Sequence, residues 1–322
     1  MATTAPQPWT FACDACAGKS VVLPQYAACV AGNARTFTDP RNYESLKHNL
    51  LDALGANTTV FLYLKLKDDL KPKEFVGYTP SHAGTDNHTV HSRLRDAIHA
   101  LKQSYKVVVK LEHATVPVRL NGACNWMRGN PTALANVGQL QTNEMCYSMI
   151  TEYEEKHQVA FTHVLKTRPD LAWPTAAHPW CMLVQEAAYA SSPMPADWFL
   201  LVPRAVATSM LKLHSRYQAC GGATQLPNFP CCGDGITALL MGALRSANVP
   251  VIGPRLPGAP NARGVINHHF PGVDFLFYPM LYRAGSGNRW CSGGHGFDVE
   301  SLIPDAEMCE RVMEYRGLAV TA

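Results

Sequence analysis

The chain has 322 residues, 47% of them hydrophobic and 16% charged, with a formal net charge of +3. That is apolar material for one large core or two modest ones, and too little charge for a disordered protein. Lys and Arg are scattered rather than gathered into a stripe, which argues against a nucleic-acid partner, and no run of about eighteen apolar residues offers a membrane span.

Residues 1–24 read as an irregular leader ending at Pro24, with neither the basic start nor the apolar stretch of a secretory signal. As written the protein is expected to be soluble, in the cytoplasm, or in a secretory lumen if a leader has been removed. Tyr26 to Ala31 is a short apolar run and predicts a buried strand, stopping at a turn of Gly32, Asn33, Ala34 and Arg35. Asp39-Pro40 supplies an N-cap and a proline at the first helical position. Tyr43, Leu46, Leu50 and Leu54 continue at helical spacing to about Gly55. Thr58 to Leu66 is a second strand, so the opening is a strand–helix–strand unit, the building block of a parallel sheet.

The alternation continues. Val90, Leu94, Ala97, Ile98 and Leu101 mark a helix, and Lys106 to Leu111 a strand. Leu140, Met145, Cys146, Met149, Ile150 and Tyr153 form the apolar stripe of a longer helix. Phe161 to Thr167 is a strand that runs into Arg168-Pro169-Asp170. Trp198 to Val202 predicts a strand, Pro203 to Leu213 and Gly235 to Leu244 predict helices, and Val249 to Ile252 a strand. Beyond Pro254 glycine and proline are dense and regular structure fades. No internal repeat or linker is evident, so residues 25–322 are expected to form one α/β domain with a loop-rich C-terminal part.

Eleven cysteines form no clean framework. Cys13 and Cys16 make one close pair, and Cys220, Cys231 and Cys232 could join them in a zinc site only through the fold. Disulfides and ordinary buried thiols are the other readings, with Cys146, on an apolar helix face, expected to be inert. Asn57-Thr58-Thr59 and Asn87-His88-Thr89 are glycosylation sequons that lean faintly towards a secretory compartment. The densest charge, from Lys65 to Lys73, also holds Asp68 and Asp69 and reads as a solvated loop.

In open parallel sheets, ligands bind beyond the carboxyl ends of the strands. Two segments end a strand with suitable chemistry. In the first, Gly32 and Asn33 let the backbone approach a ligand and Arg35 offers a planar fork for a phosphate or carboxylate; a turn with a surface arginine is the plainer alternative. In the second, Asp170 could hold Mg²⁺ or Mn²⁺ against a diphosphate while Arg168 pairs with phosphate oxygens; a surface ion pair around a proline turn is the alternative. Neither a dinucleotide fingerprint nor a P-loop is present, and no serine nucleophile elbow appears. His82, His88 and His91 lie near Asp86 in a polar stretch that reads as a metal site or a solvated loop. Trp126, Trp173, Trp290 and Tyr282 are candidates for stacking on a sugar or base, or for the core.

The order of Gly32-Asn33-Ala34-Arg35-Thr36-Phe37, Tyr43-Glu44-Ser45-Leu46, Asn49-Leu50-Leu51, the strand Val60 to Leu64, Gln139-Leu140, Cys146, Tyr153-Glu154 and Lys166 to Trp173 resembles a group of GT-A-type glycosyltransferase-like proteins from algae, plants and large viruses. The likeness spans roughly residues 25–250. It implies a GT-A-like, Rossmann-like fold, a nucleotide-diphospho-sugar donor, a glycan or other hydroxyl acceptor, and a divalent cation, Mn²⁺ or Mg²⁺. Gly32, Asn33, Arg35 and Arg168 would bind the donor. Asp170 would stand where relatives carry an Asp-x-Asp motif, although position 168 is Arg and leaves one carboxylate. The likeness also makes Asp234 the candidate base for the acceptor hydroxyl, with an N-cap role as its alternative and Asp197 as a weaker candidate. His268 or its neighbour His269 could add a nitrogen ligand to the cation.

Overall fold

The computed structural model describes residues 23–34, 37–66, 87–113, 131–173, 176–190, 199–218, 243–244, 247–252 and 280–281. Strand β1 (Gln25–Asn33) is buried on both faces from Tyr26 to Ala31, as an unbroken apolar run in a covered parallel sheet should be. It does not turn at Gly32. The strand carries on through Gly32 and Asn33, opposite Leu64 and Lys65 of β2 (Asn57–Lys65).

Between them lie α1 (Pro40–Ser45) and a π-helical continuation, Leu46–Asp52. The helical segment ends at Gly55, whose φ of +63° is the left-handed conformation that closes many helices. Its amide bonds the carbonyl of Asp52 at 3.1 Å. Helix α2 (Asn87–Lys102) buries Leu94, Ala97 and Leu101 and leads to β3 (Lys106–Glu112). Helix α3 (Pro131–His157) buries Val137, Leu140, Cys146, Tyr147 and Ile150 along one stripe. Then follow β4 (His163–Thr167), β5 (Leu171–Ala172), a 3₁₀ turn (Trp180–Met182), β6 (Ala188–Ala190) and β7 (Phe199–Pro203). The helix expected from Pro203 to Leu213 is two, α4 (Arg204–Leu211) and α5 (Leu213–Gln218). Short strands β8 (Val251–Ile252) and β9 (Met280–Leu281) are the last of the described elements.

Among the described residues, seven strands form one sheet in the order β3-β2-β1-β4-β7-β6-β8. All its neighbouring pairs are parallel except those of β7, which runs against both β4 and β6. Helices cover both faces. Cys29, Phe61 and Val164 pack with residues of α3, α4 and α5 on one side. On the other, Ala28, Val60 and Leu165 pack with Leu46, Leu50 and Leu54 and with Leu94 of α2. The protein is thus α/β with a mostly parallel sheet between helices, compatible with a Rossmann-like arrangement. No described helix is long and apolar enough to cross a membrane.

Cys146 is not the inert thiol expected of its helix face. It is disulfide-bonded to Cys29, joining α3 to β1, and Cys181 is disulfide-bonded as well. Cys13, Cys16, Cys220, Cys231 and Cys232 lie outside the described residues.

Candidate functional site

From β1 the chain moves outward to β2 and β3 on one side, then returns to place β4 on the other. The carboxyl ends of β1 and β4 therefore flank the point where strand order reverses, where open α/β sheets form their ligand crevice. Gly32 and Asn33 end β1, and Thr167 ends β4 just before Arg168-Pro169-Asp170.

The two segments touch. A Cβ placed on Gly32 would lie 2.9 Å from Cδ of Pro169, and Gly32 has a φ of +153°. Glycine is required here by close approach and by backbone conformation together. The absent side chain lets the turn after β4 close over the end of β1, which brings both sequence motifs to one place.

Within that turn, Arg168 donates from Nε to Oδ1 of Asp170 at 2.9 Å and from Nη2 to Oδ2 at 2.7 Å. This is a bidentate ion pair, and it is not at the surface: the side chains are 14% and 4% exposed, Asp170 the deeper. The following segment is stitched to the first helix. Ser45 Oγ accepts from the amide of Trp173 at 3.0 Å and donates to the carbonyl of Asn42 at 3.1 Å. Asn49, in the π-helical stretch, donates from Nδ2 to the carbonyl of Trp173 at 2.5 Å, while its own carbonyl accepts from Ala177. Trp173 is wholly buried, edge-on to Phe199 with centroids 5.2 Å apart, so it is a core support rather than a stacking platform for a ligand. Beyond Asp170, β5 pairs with β9.

Sequence reasoning gave no role of their own to two buried cations, Lys65 and Lys166. Lys65 is the last residue of β2, buried, and in register between Asn33 and Glu112, so it is not part of a solvated loop. Lys166, also buried, lies opposite Cys29 on the α3 side of β4. Each directly follows apolar residues in its strand, and a charge inside or at the end of a buried strand was the available signal.

A divalent cation does not fit the described donor set. Both oxygens of Asp170 already accept from a guanidinium, and no group of three His, Cys, Asp or Glu side chains among the described residues could hold a metal. Hard cations such as Mg²⁺ take about six oxygen ligands. Arg35, Asp197, Asp234, His268 and His269 lie outside the described residues, as do His82, Asp86, Trp126, Tyr282 and Trp290. His91 is described; its ring stacks on His113 with centroids 5.9 Å apart.

The chain matches no protein-family model and no curated protein.

Proposed function

We propose that the chain is a glycosyltransferase, moving a sugar from a nucleotide-diphospho-sugar donor to a hydroxyl acceptor such as a glycan. The observation that carries the proposal is the contact of Gly32 with Pro169. It unites the two segments of the family resemblance at the reversal point of a mostly parallel sheet, beside a partly buried arginine. In this reading Gly32 and Asn33 let the donor come close to the backbone. Arg168 meets the charge that builds on the departing diphosphate. Catalysis is then largely positioning and charge stabilisation. Arg35 as a donor contact and Asp234 as the base towards the acceptor remain the roles implied by the resemblance.

The test is a screen of nucleotide sugars that reads released nucleoside diphosphate. One donor should turn over, and Arg168→Ala should lower kcat/KM on the order of 100-fold, the usual effect of removing one charge-stabilising donor. No release from any donor would sink the proposal.

One observation favours a second reading, a non-catalytic nucleotide-sugar or carbohydrate-binding module. The single carboxylate of the turn, Asp170, is already engaged by Arg168. Calorimetric binding of a nucleotide sugar without turnover, across a panel of acceptors, would select it.

A further inference from the structure

We infer that the chain folds in an oxidising secretory lumen and carries an N-linked glycan on Asn57. Asn57-Thr58-Thr59 is an acceptor triplet with no proline at its middle position. Whether a folded protein tolerates a glycan depends on where the asparagine sits, since a bulky, hydrated sugar chain needs open solvent. Asn57 is exposed, while Thr58 and the run from Val60 to Lys65 are buried. It is the first residue of β2, opposite Gln25, with its backbone amide bonded to the carbonyl of Pro24 at 3.1 Å. β3 begins opposite Thr59, so Asn57 extends past that neighbour at the amino end of the sheet. The crevice lies at the other end of β2, beside Lys65. At the usual rise along a strand the two ends are about 26 Å apart, so a glycan on Asn57 leaves the crevice open.

The cysteines set the compartment independently. Cys29 and Cys146 are bonded to each other and both are 0% exposed. Thiol–disulfide exchange needs access to the sulfurs, so this bond forms before the core closes, while the chain is folding. Cys181 is disulfide-bonded too. Disulfides made during folding belong to oxidising compartments and are rare in the cytosol. In eukaryotic cells that lumen also holds the machinery for N-glycosylation. There Nδ2 of Asn57 loses one proton and bonds the anomeric carbon of an oligosaccharide. The bond from that carbon to a lipid diphosphate breaks, and the lipid diphosphate leaves.

The test sends the full chain into the secretory pathway of a eukaryotic cell line behind a cleavable signal sequence. The secreted protein is peptide-mapped without reduction, before and after enzymatic removal of N-glycans in ¹⁸O-water. The expected result is a linked Cys29–Cys146 peptide pair and a glycan on Asn57, which the amidase converts to ¹⁸O-labelled aspartate. The map separates Asn57 from Asn87, whose triplet opens α2. Asn57→Gln should lose that glycan and still be secreted with the cross-link, because the residue is exposed. Thr59→Ser should keep the glycan, because the acceptor triplet survives. An unmodified Asn57 in secreted, cross-linked protein overturns the inference. So do free thiols at Cys29 and Cys146, or retention of the wild-type chain in the cell as aggregate, since either removes the oxidising lumen from its folding. The map of the wild-type chain decides the matter even if a variant fails to fold.

Discussion

A methyl group at Gly32 has nowhere to go, since Pro169 Cδ stands 2.9 Å from where it would sit and the backbone has a φ of +153°. Gly32→Ala should therefore destabilise the fold by about 1–3 kcal/mol and weaken binding at the turn, measured by urea unfolding and nucleotide titration on the same protein. Wild-type values for both would remove the close approach from the account. At the other end of β4, His163 is buried with Nε2 2.9 Å from the carbonyl of Gln185 and its ring 4.9 Å from that of Tyr26. Desolvation lowers its pKa, against the opposing pull of the Gln185 carbonyl and the Glu186 charge. The unfolded chain then takes up the proton more readily than the folded one, so this contribution is complete above pH about 6.5 and is lost as pH falls below it. Urea midpoints between pH 5 and 7.5 should drop on acidification, less steeply in His163→Gln; equal slopes would remove His163 as the cause. At this scale the sequence showed a strand running into Arg168-Pro169-Asp170, because that is a local pattern. It could not reveal the contact with Gly32, which depends on which strands become neighbours.

Helices α3 and α4 are tied by a polar network rather than by apolar contact alone. Arg204 donates from Nε and Nη2 to the carboxylate of Glu154, at 2.9 and 2.6 Å, and from Nη1 to the Tyr147 hydroxyl at 2.6 Å. Glu154 also accepts from the amide of Phe161, and the Tyr147 hydroxyl lies 2.6 Å from Thr208 Oγ1. The Glu154 hydrogen bond pushes the Arg204 pKa up. The pair is 25% and 14% exposed, which places it between surface and fully buried pairs. Glu154→Gln should cost about 1–3 kcal/mol, below the cost of breaking a fully buried pair. The double variant Glu154→Gln/Arg204→Met should recover part of that, and strict additivity in urea unfolding would mean the two side chains act independently.

Elements with a long uniform signal were legible: β1 to β4 and β7 as apolar runs, α2 and α3 as helical stripes. The direction of β7 was not, because its buried residues read the same whichever way the strand runs. Nor were β5, β6 and β9, since two or three residues carry no period. The π-helical stretch kept the expected leucine spacing, and its altered hydrogen bonding left no mark on the sequence.

For the whole molecule, the Cys29–Cys146 bond links β1 to the longest described helix across a sequence separation of 117. Cross-links of this kind typically add about 2–4 kcal/mol, chiefly by restricting the unfolded chain. Cys29→Ala/Cys146→Ala, or treatment with a strong reductant, should lower the urea midpoint accordingly, and an unchanged midpoint would show that the bond adds nothing to stability. The overall class followed from the alternation of strand and helix along the first half of the chain. The disulfide pairing did not, because eleven cysteines allow many partners and only the fold selects among them.

The two-stranded sheet of β5 and β9 links Leu171 and Ala172, immediately after the turn, to Leu281 and Met280. On the ribosome, every described strand of the main sheet is present once β8 has emerged, yet the turn still lacks this brace. Ligand-binding competence should therefore arrive late in synthesis, after the sheet itself. A nascent chain arrested between β8 and β9 would be compact, protease-resistant over its sheet, and, on the donor-site proposal, unable to retain a nucleotide.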